Sequence, residues 1–430
     1  MTGAAQQRAD AARLLERVTA RGQTTDQAFG SVAQVTPLVH ELVLGSLRHW
    51  WSLSRMVDAC LHKSLPEKDQ DIRLLMVVGA YQLRHTRIPD HAAIHETVDA
   101  CRVLRKPWAC RLVNAVLRRC AARTQLKNEQ SFEMPGWLEA ALRADYADAE
   151  DVMLANLARA PMSVRINRLR IDSEAWAALA SAAGIALLPA GSALDASGQG
   201  PETRTLAEPV SARDLPGFAE GLVSIQDAGA QYAAPLLQPE PGQRVLDACA
   251  APGGKLFHLL EREPQASYLG IDQSERRIAW VQHEAERLGH HAVALAIADA
   301  TGLDWWDGEP FQRILLDAPC TGTGTLRRHP DIKLLRRQED VAAAADLQTR
   351  LLANLWRVLA PGGRLVYCTC SLLTAENDAV LDRFLAGHPD ARVEPITLAS
   401  GRPMRHGWQL LPTDPLTDGF YYSRVRKVAA

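Results

Sequence analysis

The stretch 244–255 places an apolar run, an acidic residue and a glycine-rich turn in immediate succession. Val245–Leu246 predicts a buried strand that ends at Asp247, and helical spacing resumes after the turn at Lys255. The pair Gly253–Gly254 lets a ligand approach the backbone without meeting a Cβ atom. A strand, a glycine turn and a helix N-terminus are typical of an edge that binds a nucleoside or dinucleotide, although such turns also serve as plain connections.

Acidic residues follow four predicted strands in succession, and we call them the strand-end aspartates: Asp247, Asp272, Asp299 and Asp317. A single aspartate after a strand is usually a helix cap. Four of them at successive carboxyl strand ends instead face one crevice, which is where open α/β sheets bind ligands. Asp272 is expected to accept hydrogen bonds from both hydroxyls of a ribose, and Asp299 is expected to accept one from an adenine amine.

The position of Lys255 after two glycines is also found in phosphate-binding P-loops. The spacing G-x-x-x-x-G-K-[S/T] is absent, however, and Leu256 stands where the Mg²⁺-binding hydroxyl would be. ATP hydrolysis is therefore not expected. Lys255 is predicted instead to stabilise the glycine-rich loop or a nearby carboxylate, including that of Asp317.

The cysteines favour free thiols over disulfides or a metal site. There are eight in 430 residues, and they lack zinc-finger spacing apart from the C-x-C pair Cys368 and Cys370. The chain starts with a polar segment and has no run of about 18 apolar residues, so we expect a cytoplasmic protein outside the membrane. His91 and His95 are expected to be solvated or capping residues, and no metal is predicted.

The periodicity of apolar residues and the positions of proline and glycine divide the chain into three predicted domains. Residues 1–128 show helical spacing and predict an all-α bundle. Residues 129–222 are interrupted by prolines and a glycine- and serine-rich stretch, and they predict a small α+β subdomain with a strand at 162–167 and a loop at 191–200. Residues 223–430 alternate strands and helices, which predicts an α/β, Rossmann-like domain. Its strands are expected at 244–249, 267–272, 292–298, 311–317, 363–369 and 419–425 (the last as an antiparallel hairpin at the sheet edge), and its helices at 274–289, 338–359 and 374–386.

Charge is unevenly distributed, although the net charge is only −2. Residues 1–125 carry 18 lysines and arginines against 11 aspartates and glutamates. The stretch 101–128, called here the basic run, has eight basic residues and no acidic one. A basic run can be merely a solvated helix face, but this one-sidedness favours a polyanion partner. The residues expected to contact RNA are Arg111, Arg118, Arg119, Arg165 and Arg168.

Several motifs together resemble the S-adenosylmethionine-dependent RNA cytosine-C5 methyltransferases. They are Asp-Ala-Cys-Ala-Ala-Pro-Gly-Gly-Lys (247–255), Asp-Ala-Pro-Cys-Thr-Gly-Thr-Gly (317–324), Tyr-Cys-Thr-Cys-Ser (367–371), Ser-Ile-Gln-Asp (224–227), Arg-Arg-His-Pro-Asp (327–331) and Asp-Gly-Phe-Tyr (418–421). The resemblance covers residues 160–430. The helical front part is similar to the NusB-type RNA-binding domain, and the two parts together resemble the RsmB (Sun/Fmu) branch.

That resemblance implies an enzyme that transfers a methyl group from S-adenosylmethionine to C5 of a cytosine in 16S rRNA, which is cytosine 967 in this branch. The chain is expected to be a monomer, and its small α+β subdomain is expected to bind RNA. The alternatives are a methyltransferase that acts on another RNA such as tRNA, a small-molecule methyltransferase, and an RNA-binding protein without catalysis. The residues implied in cofactor binding are Cys249, Ala250, Ala251, Pro252, Gly253, Gly254, Lys255, Asp272, Asp299 and Asp317.

The implied chemistry requires a thiolate, because C5 of cytosine is a poor nucleophile until a thiolate adds at C6. The resemblance assigns Cys370, in its Thr-Cys-Ser context, as this nucleophile and Cys320 as the group that assists release. Asp317 is expected to stabilise charge near N3 of the ring. DNA cytosine methyltransferases attack from a Pro-Cys motif, so Cys320 is the rival nucleophile. Cys368 is expected to be a small apolar filler, and Cys249 is expected to offer its backbone.

Overall fold

The computed structural model describes residues 3–32, 34–122, 132–189 and 202–428. The chain forms two compact units, which comprise 1–158 with 326–337 and 159–325 with 338–430. The predicted domains 1–128, 129–222 and 223–430 stay a prediction. The two units differ from them by grouping 326–337 with the N-terminal helices. The loop predicted at 191–200, and Arg123 and Lys127 of the basic run, lie outside the described residues.

The first unit is helical throughout its described part, as predicted. Its N-terminal stretch forms α1 (Gly3–Thr19), α2 (Thr25–Gly30), α3 (Pro37–Arg48), α4 (Trp50–Cys60), α5 (Gln70–His85), α6 (Asp90–Val103), α7 (Cys110–Ala122), α8 (Gly136–Asp145) and α9 (Ala149–Ala155). Local sequence fixes two of the helix starts. Thr24 and Gln27 form a capping box before α2, and the side chain of Thr36 accepts a hydrogen bond from Val39 N at the start of α3. A cap of this kind stabilises a helix by about 1 kcal/mol.

The segment 326–337 packs within this helical unit. Asp331 accepts hydrogen bonds from the backbone N and the hydroxyl of Thr25, at 3.1 and 2.9 Å. Lys333 is buried and donates to the carbonyl of Arg48 at 2.9 Å, and burial lowers the pKa of Lys333 to about 7. Leu334 and Leu335 pack against the core of the unit. The motif at 327–331, expected in the catalytic domain, therefore belongs to the helical unit.

The second unit contains a small three-stranded sheet. Its strands are β1 (Met162–Ile166), β2 (Thr203–Leu206) and β3 (Val223–Ile225), and β1 lies in the middle and is antiparallel to both neighbours. Helix α10 (Ser173–Ala182) begins at the N-cap Asp172, and its Trp176 is fully buried in the core of this subdomain. The strand and the α+β character predicted for this part of the chain are confirmed.

A nine-stranded mixed sheet forms the rest of the second unit. Its strands are β4 (Arg244–Asp247), β5 (Ser267–Asp272), β6 (Ala294–Ile297), β7 (Phe311–Asp317), β8 (Leu359–Thr369), β9 (Ala391–Glu394), β10 (Arg402–Pro403), β11 (Trp408–Leu410) and β12 (Phe420–Lys427). The order β6-β5-β4-β7-β8 is parallel, and β4, β7 and β8 carry the buried apolar runs of strands covered on both faces, whereas the edge strand β6 is partly exposed. Strand β12 is antiparallel, as predicted, but it lies inside the sheet between β8 and β11, so its predicted edge position is wrong.

Helices connect these strands close to the predicted positions. They are α11 (Ala233–Leu237), α12 (Gly254–Arg262), α13 (Glu275–Leu288), α14 (Ile332–Leu335, in the first unit), α15 (Gln338–Val358) and α16 (Asp378–Gly387). Helix α13 ends at Gly289, whose φ of 76° is the left-handed conformation that favours glycine at this position. The helix expected at 374–386 is divided into a single 3-10 turn, Thr374–Glu376, and α16. Among the helices of the described residues, none is both long and apolar enough to cross a membrane.

Candidate active site

The glycine-rich loop connects β4 to α12 at the carboxyl edge of the parallel strands. Gly253 has a φ of 102°, and a Cβ atom there would lie 2.5 Å from a ring carbon of Phe257. This position therefore requires glycine. Gly254 is the first residue of α12, and a Cβ atom there would meet only ordinary contacts, the nearest at 3.5 Å. The fold therefore requires glycine at 253 but not at 254, and the predicted close approach of a ligand to this pair stays a prediction.

The strand-end aspartates occupy different environments. Asp247, Asp272 and Asp317 are the last residues of β4, β5 and β7, whereas Asp299 follows β6 by two residues and is exposed. Asp247 is buried, and this burial together with the charge of Asp317 raises the pKa of Asp247 to about 7. The order of the strands brings Asp272, Asp299 and Asp317 to one cleft. Asp247 is not among the lining residues, but its carboxyl interacts electrostatically with Asp272 and Asp317.

The cleft has an empty volume of about 520 Å³. Its lining residues are Ala248, Cys249, Asp272, Gln273, Arg277, Ala298, Asp299, Ala300, Asp317, Pro319, Leu347 and Leu351. Four predicted cofactor residues are among them: Cys249, Asp272, Asp299 and Asp317. The contacts predicted for Ala250, Ala251, Pro252, Gly253, Gly254 and Lys255 stay predictions. The acidic and apolar walls match a nucleoside, which presents hydroxyls on one side and a flat apolar base on the other.

Asp272 retains hydrogen-bonding capacity toward this cleft. Its Oδ1 accepts from the backbone N of Ser274 at 3.0 Å. Its Oδ2 is buried and lies 3.1 Å from Arg277 Nη1, but without the alignment of a hydrogen bond. Arg277 was not predicted from the sequence. It lies in the first turn of α13. The start of a helix directly after an acidic strand end is the sequence pattern that could have indicated it.

Lys255 reaches from the start of α12 to the end of β7. Its Nζ donates a hydrogen bond to Asp317 Oδ2 at 2.5 Å, which confirms the predicted contact with a nearby carboxylate. The carboxylate raises the pKa of Lys255, although burial acts in the opposite direction, so the side chain remains an ammonium. The other oxygen of Asp317 accepts from the thiol of Cys368 at 3.4 Å. Cys368 is buried in β8, but it is more than an apolar filler because its thiol contacts this carboxylate.

Cys320 and Cys370 form what we call the thiol pair. Their sulfur atoms lie 3.4 Å apart, although 50 residues separate them in the chain. The hydrogen bond to Cys370 is the largest cause that raises the pKa of Cys320, and burial is the next. The loops that carry the two thiols are also bonded to each other, because Gly324 N donates to Cys370 O at 2.8 Å.

Cys249 is not a member of the thiol pair. It lines the cleft, and burial and the neighbouring Asp247 raise its pKa. The pKa of Cys320 is raised as well, so this property does not separate Cys249 from the thiol pair, and the backbone role expected for Cys249 stays a prediction.

The arginines expected to contact RNA do not share one environment. Arg111, Arg118 and Arg168 are exposed. Arg119 is half-buried and donates to the carbonyl of Cys60 at 2.7 Å. Arg165 is fully buried and forms a two-bond pair with Glu261, at 2.8 and 2.9 Å. A guanidinium buried in this way does not reach an RNA phosphate, so the RNA-contacting role predicted for Arg165 is wrong.

Within the basic run, part of the charge is neutralised inside the first unit. Lys106 pairs with Asp69 at 2.9 Å and with Asp71 at 2.6 Å. Arg102 pairs with Asp99 one helical turn earlier. The acid-free stretch of sequence therefore overstates the positive charge that is available to a polyanion.

Comparisons with known proteins identify the family. Family models match 16S rRNA methyltransferase RsmB/F over residues 234–426, the NusB family over 5–122, and the RsmF/B-like ferredoxin-like domain over 134–196. The chain is 45% identical over 407 residues to ribosomal RNA small subunit methyltransferase B of Pseudomonas syringae pv. tomato. The matched residues cover 91% of this chain and 89% of that protein. The chain belongs to the RsmB/F family of 16S rRNA methyltransferases.

Other similarities extend over nearly the whole chain. Ribosomal RNA small subunit methyltransferase B of Vibrio cholerae is 40% identical over 433 residues, which cover 98% of this chain and 97% of that protein. The crystal structure of a protein named PH0851 superposes with a TM-score of 0.81 at 21% identity, covering 98% of this chain and 99% of that one. The predicted family, enzyme class and fold class are confirmed: an RsmB/F methyltransferase with a NusB-like helical part, a ferredoxin-like domain and a Rossmann-like catalytic part.

Proposed function

We propose that this chain methylates C5 of a cytosine in 16S rRNA through a covalent adduct between Cys370 and C6 of the base. The observation that carries the proposal is the thiol pair. The two sulfur atoms lie 3.4 Å apart, and Cys320 follows the cleft residue Asp317 by three residues, so the pair offers one group to attack the ring and a second to remove a proton from it. A methyl transfer to an already nucleophilic atom would need neither group.

The reaction begins when the Cys370 thiolate forms a bond to C6 and the ring electrons shift toward C5. The negative charge that develops toward N3 is stabilised by a hydrogen bond that Asp317 donates in its protonated form, with the positive charge of Lys255 at 2.5 Å from the same side chain. S-adenosylmethionine, when bound, supplies the electrophilic methyl group that C5 takes up. Cys320, once it has given up its own proton to solvent, takes the proton from C5, the electrons of that C–H bond restore the C5–C6 double bond, and the Cys370–C6 bond breaks with its electrons passing to sulfur. The products are methylated cytosine, Cys370 as a thiolate and Cys320 as a thiol that carries the removed proton.

The cleft fits the cofactor proposed for it. Asp272 lines the cleft and its buried Oδ2 has no hydrogen-bond partner among the described residues, so we assign it to a ribose hydroxyl, and Asp299 is exposed in the same cleft. Leu347 and Leu351 of α15 supply the apolar surface against which a flat base can pack. In this assignment, Asp272 holds the ribose and Asp299 lies near the adenine amine.

The RNA is proposed to be 16S rRNA, because the relatives that match this chain over most of its length are named for the small ribosomal subunit. Cytosine 967 is the target that the resemblance implies. A base inside a helical stack hides C6 from a thiolate, so the target must be unpaired or flipped out. Exposed Arg111, Arg118 and Arg168 are the proposed phosphate contacts.

Bisulfite mapping tests the proposed target. Total RNA from cells that lack the protein should lose one unconverted cytosine in 16S rRNA, and a plasmid copy of the gene should restore it. A copy that carries Cys370→Ala should not restore it. Loss of a tRNA position instead, with 16S rRNA unchanged, would contradict the proposed substrate and support the tRNA alternative.

A further inference from the structure

A buried carboxylate, Glu376, connects the two loops of the thiol pair. It lies in the turn Thr374–Glu376 and is 0% exposed. Its Oε1 accepts from the backbone N of Thr321 at 2.8 Å, and its Oε2 accepts from the hydroxyls of Thr321 at 2.5 Å and Ser371 at 2.6 Å. Thr321 follows Cys320 and Ser371 follows Cys370 in the chain, so one side chain bonds to the neighbour of each thiol.

The two loops do not depend equally on this carboxylate. Both loops have further anchors: Asn377 Nδ2 donates to Ser371 O at 3.0 Å in the loop of Cys370, and Ala318 N donates to Cys368 O at 2.8 Å before Cys320. The loop of Cys320 donates two of the three shortest bonds that Glu376 accepts, both from Thr321, whereas the loop of Cys370 donates one. Removal of the carboxylate should therefore displace Cys320 more than Cys370.

Glu376 is buried among several hydrogen-bond donors. A buried carboxylate is unfavourable unless several donors satisfy it. Burial raises the pKa of Glu376, whereas the bonds from Ser371 and Thr321 act in the opposite direction. Gln348 of α15 supports the same loop, because its Nε2 donates to Pro319 O at 2.9 Å and lies 3.5 Å from Glu376 Oε1.

We propose that Glu376 is a positioning residue for the release step: it holds Cys320 at the distance from Cys370 that lets Cys320 reach the proton on C5. The inference rests on the proposed function, since it requires that Cys370 attacks and Cys320 releases. Glu376 itself touches neither the base nor the cofactor. A misplacement of about 1 Å can lower a rate roughly 100-fold, so loosening one loop is enough to stall release.

The test compares Glu376→Ala, Glu376→Gln and Thr321→Val with the control Asp378→Asn. Asp378 is a matched buried carboxylate that accepts three bonds, from Arg405 N at 2.9 Å, His406 N at 3.0 Å and Tyr421 OH at 2.6 Å. Each variant is incubated with 16S rRNA and cofactor. Turnover, cofactor Kd and the amount of protein–RNA adduct on denaturing gels are then measured.

Glu376→Ala should lower kcat on the order of 10- to 100-fold, leave cofactor Kd unchanged and accumulate adduct, because release is slowed after attack has occurred. Glu376→Gln keeps the side chain's length and should restore part of kcat. Thr321→Val removes one hydroxyl donor, so it should also accumulate adduct, and it serves as the test if Glu376→Ala does not fold. Asp378→Asn should show no adduct.

Two outcomes separate this inference from the proposed function. If Cys320→Ala traps an adduct but Glu376→Ala and Thr321→Val do not, the positioning role is wrong and the proposed function stands. If Cys320→Ala traps no adduct, the proposed function fails first. Adduct in Asp378→Asn as well would also overturn the inference, since any loss of a buried carboxylate would then stall release.

Discussion

Lys255 Nζ donates a hydrogen bond to Asp317 Oδ2 at 2.5 Å, and both side chains interact electrostatically with buried Asp247. The two carboxylates repel each other, while the ammonium attracts both. Asp317 raises the pKa of Asp247 and Lys255 lowers it, and burial, which is the largest cause, raises it to about 7. The glycine-rich loop thus holds an acid that changes its charge near neutral pH.

Asp247→Asn should therefore stabilise the protein increasingly as the pH rises. The folded chain binds the Asp247 proton more tightly than the unfolded chain, with a pKa of about 7 against 3.8. That contribution is fully present below about pH 4 and is lost as the pH rises through 7, because the buried group must then ionise. The amide imitates the protonated form. Its advantage should grow by roughly 2–3 kcal/mol between pH 5 and pH 7, at about 1.4 kcal/mol per pH unit.

Thermal unfolding of both proteins over a pH series measures this effect. Asp346→Asn, an exposed position on α15, is the control and should follow the wild type at every pH. A constant difference in Tm between Asp247→Asn and the wild type across the series would show that Asp247 does not titrate in this range.

Asp272→Ala should weaken the binding of S-adenosylmethionine. The variant removes a buried acceptor that is proposed to bind the ribose, and loss of a charged hydrogen-bond partner costs roughly 1–3 kcal/mol. Isothermal titration calorimetry should show a weaker Kd by about one to two orders of magnitude, since 1.4 kcal/mol is tenfold. Asp346→Ala should bind normally. An unchanged Kd in the Asp272 variant would remove this residue from the cofactor site.

Arg165→Met should destabilise the second unit without affecting RNA affinity. Arg165 and Glu261 are 0% and 1% exposed, and breaking a buried pair from one side leaves a buried charge that costs about 3–5 kcal/mol. The double variant Arg165→Met, Glu261→Gln should recover part of the loss in Tm. Filter binding below Tm should give wild-type RNA affinity. Reduced RNA affinity with unchanged Tm would instead restore the RNA-contacting role.

Neutralising Arg111 and Arg118 to glutamine should weaken RNA binding and flatten its salt dependence. Both side chains are exposed, and each lost phosphate contact should remove about 0.7–0.9 from the slope of log K against log salt. Cofactor affinity should not change. Arg102→Gln is the matched control in the same basic run, because that arginine already pairs with Asp99. An unchanged slope in the double variant would mean that this helix face is only solvated.

Periodicity and strand-end residues were sufficient to predict most of the fold. The parallel strands were predicted because buried strands leave continuous apolar runs, and Asp247, Asp272 and Asp317 mark where three of them end. The position of β12 was not predictable, because the sequence of a strand carries no record of which partners it pairs with. The strands β9, β10 and β11 on its far side from the parallel strands have two to four residues each and leave no periodic signal.

Long-range pairing accounts for what the sequence did not reveal about the site. The motif at 327–331 packs in the helical unit through Asp331 and Thr25, which are 306 residues apart. Arg165 and Glu261 are 96 residues apart. The residues near Arg165 in the sequence therefore gave no sign of its partner, and Arg165 was predicted to be a surface cation. Glu376 left no signal, because an acid six residues after a cysteine is usually exposed. Its role becomes visible only where Thr321 and Ser371 meet it.

The most direct test of the account is the fate of the protein–RNA adduct in the two cysteine variants. Each variant is incubated with 16S rRNA and S-adenosylmethionine and is then separated on a denaturing gel. Cys320→Ala should retain a covalent adduct after methyl transfer, because the C5 proton is not removed, whereas Cys370→Ala should form no adduct and transfer no methyl group. An adduct with Cys370→Ala but not with Cys320→Ala would reverse the roles of the thiol pair and contradict the account.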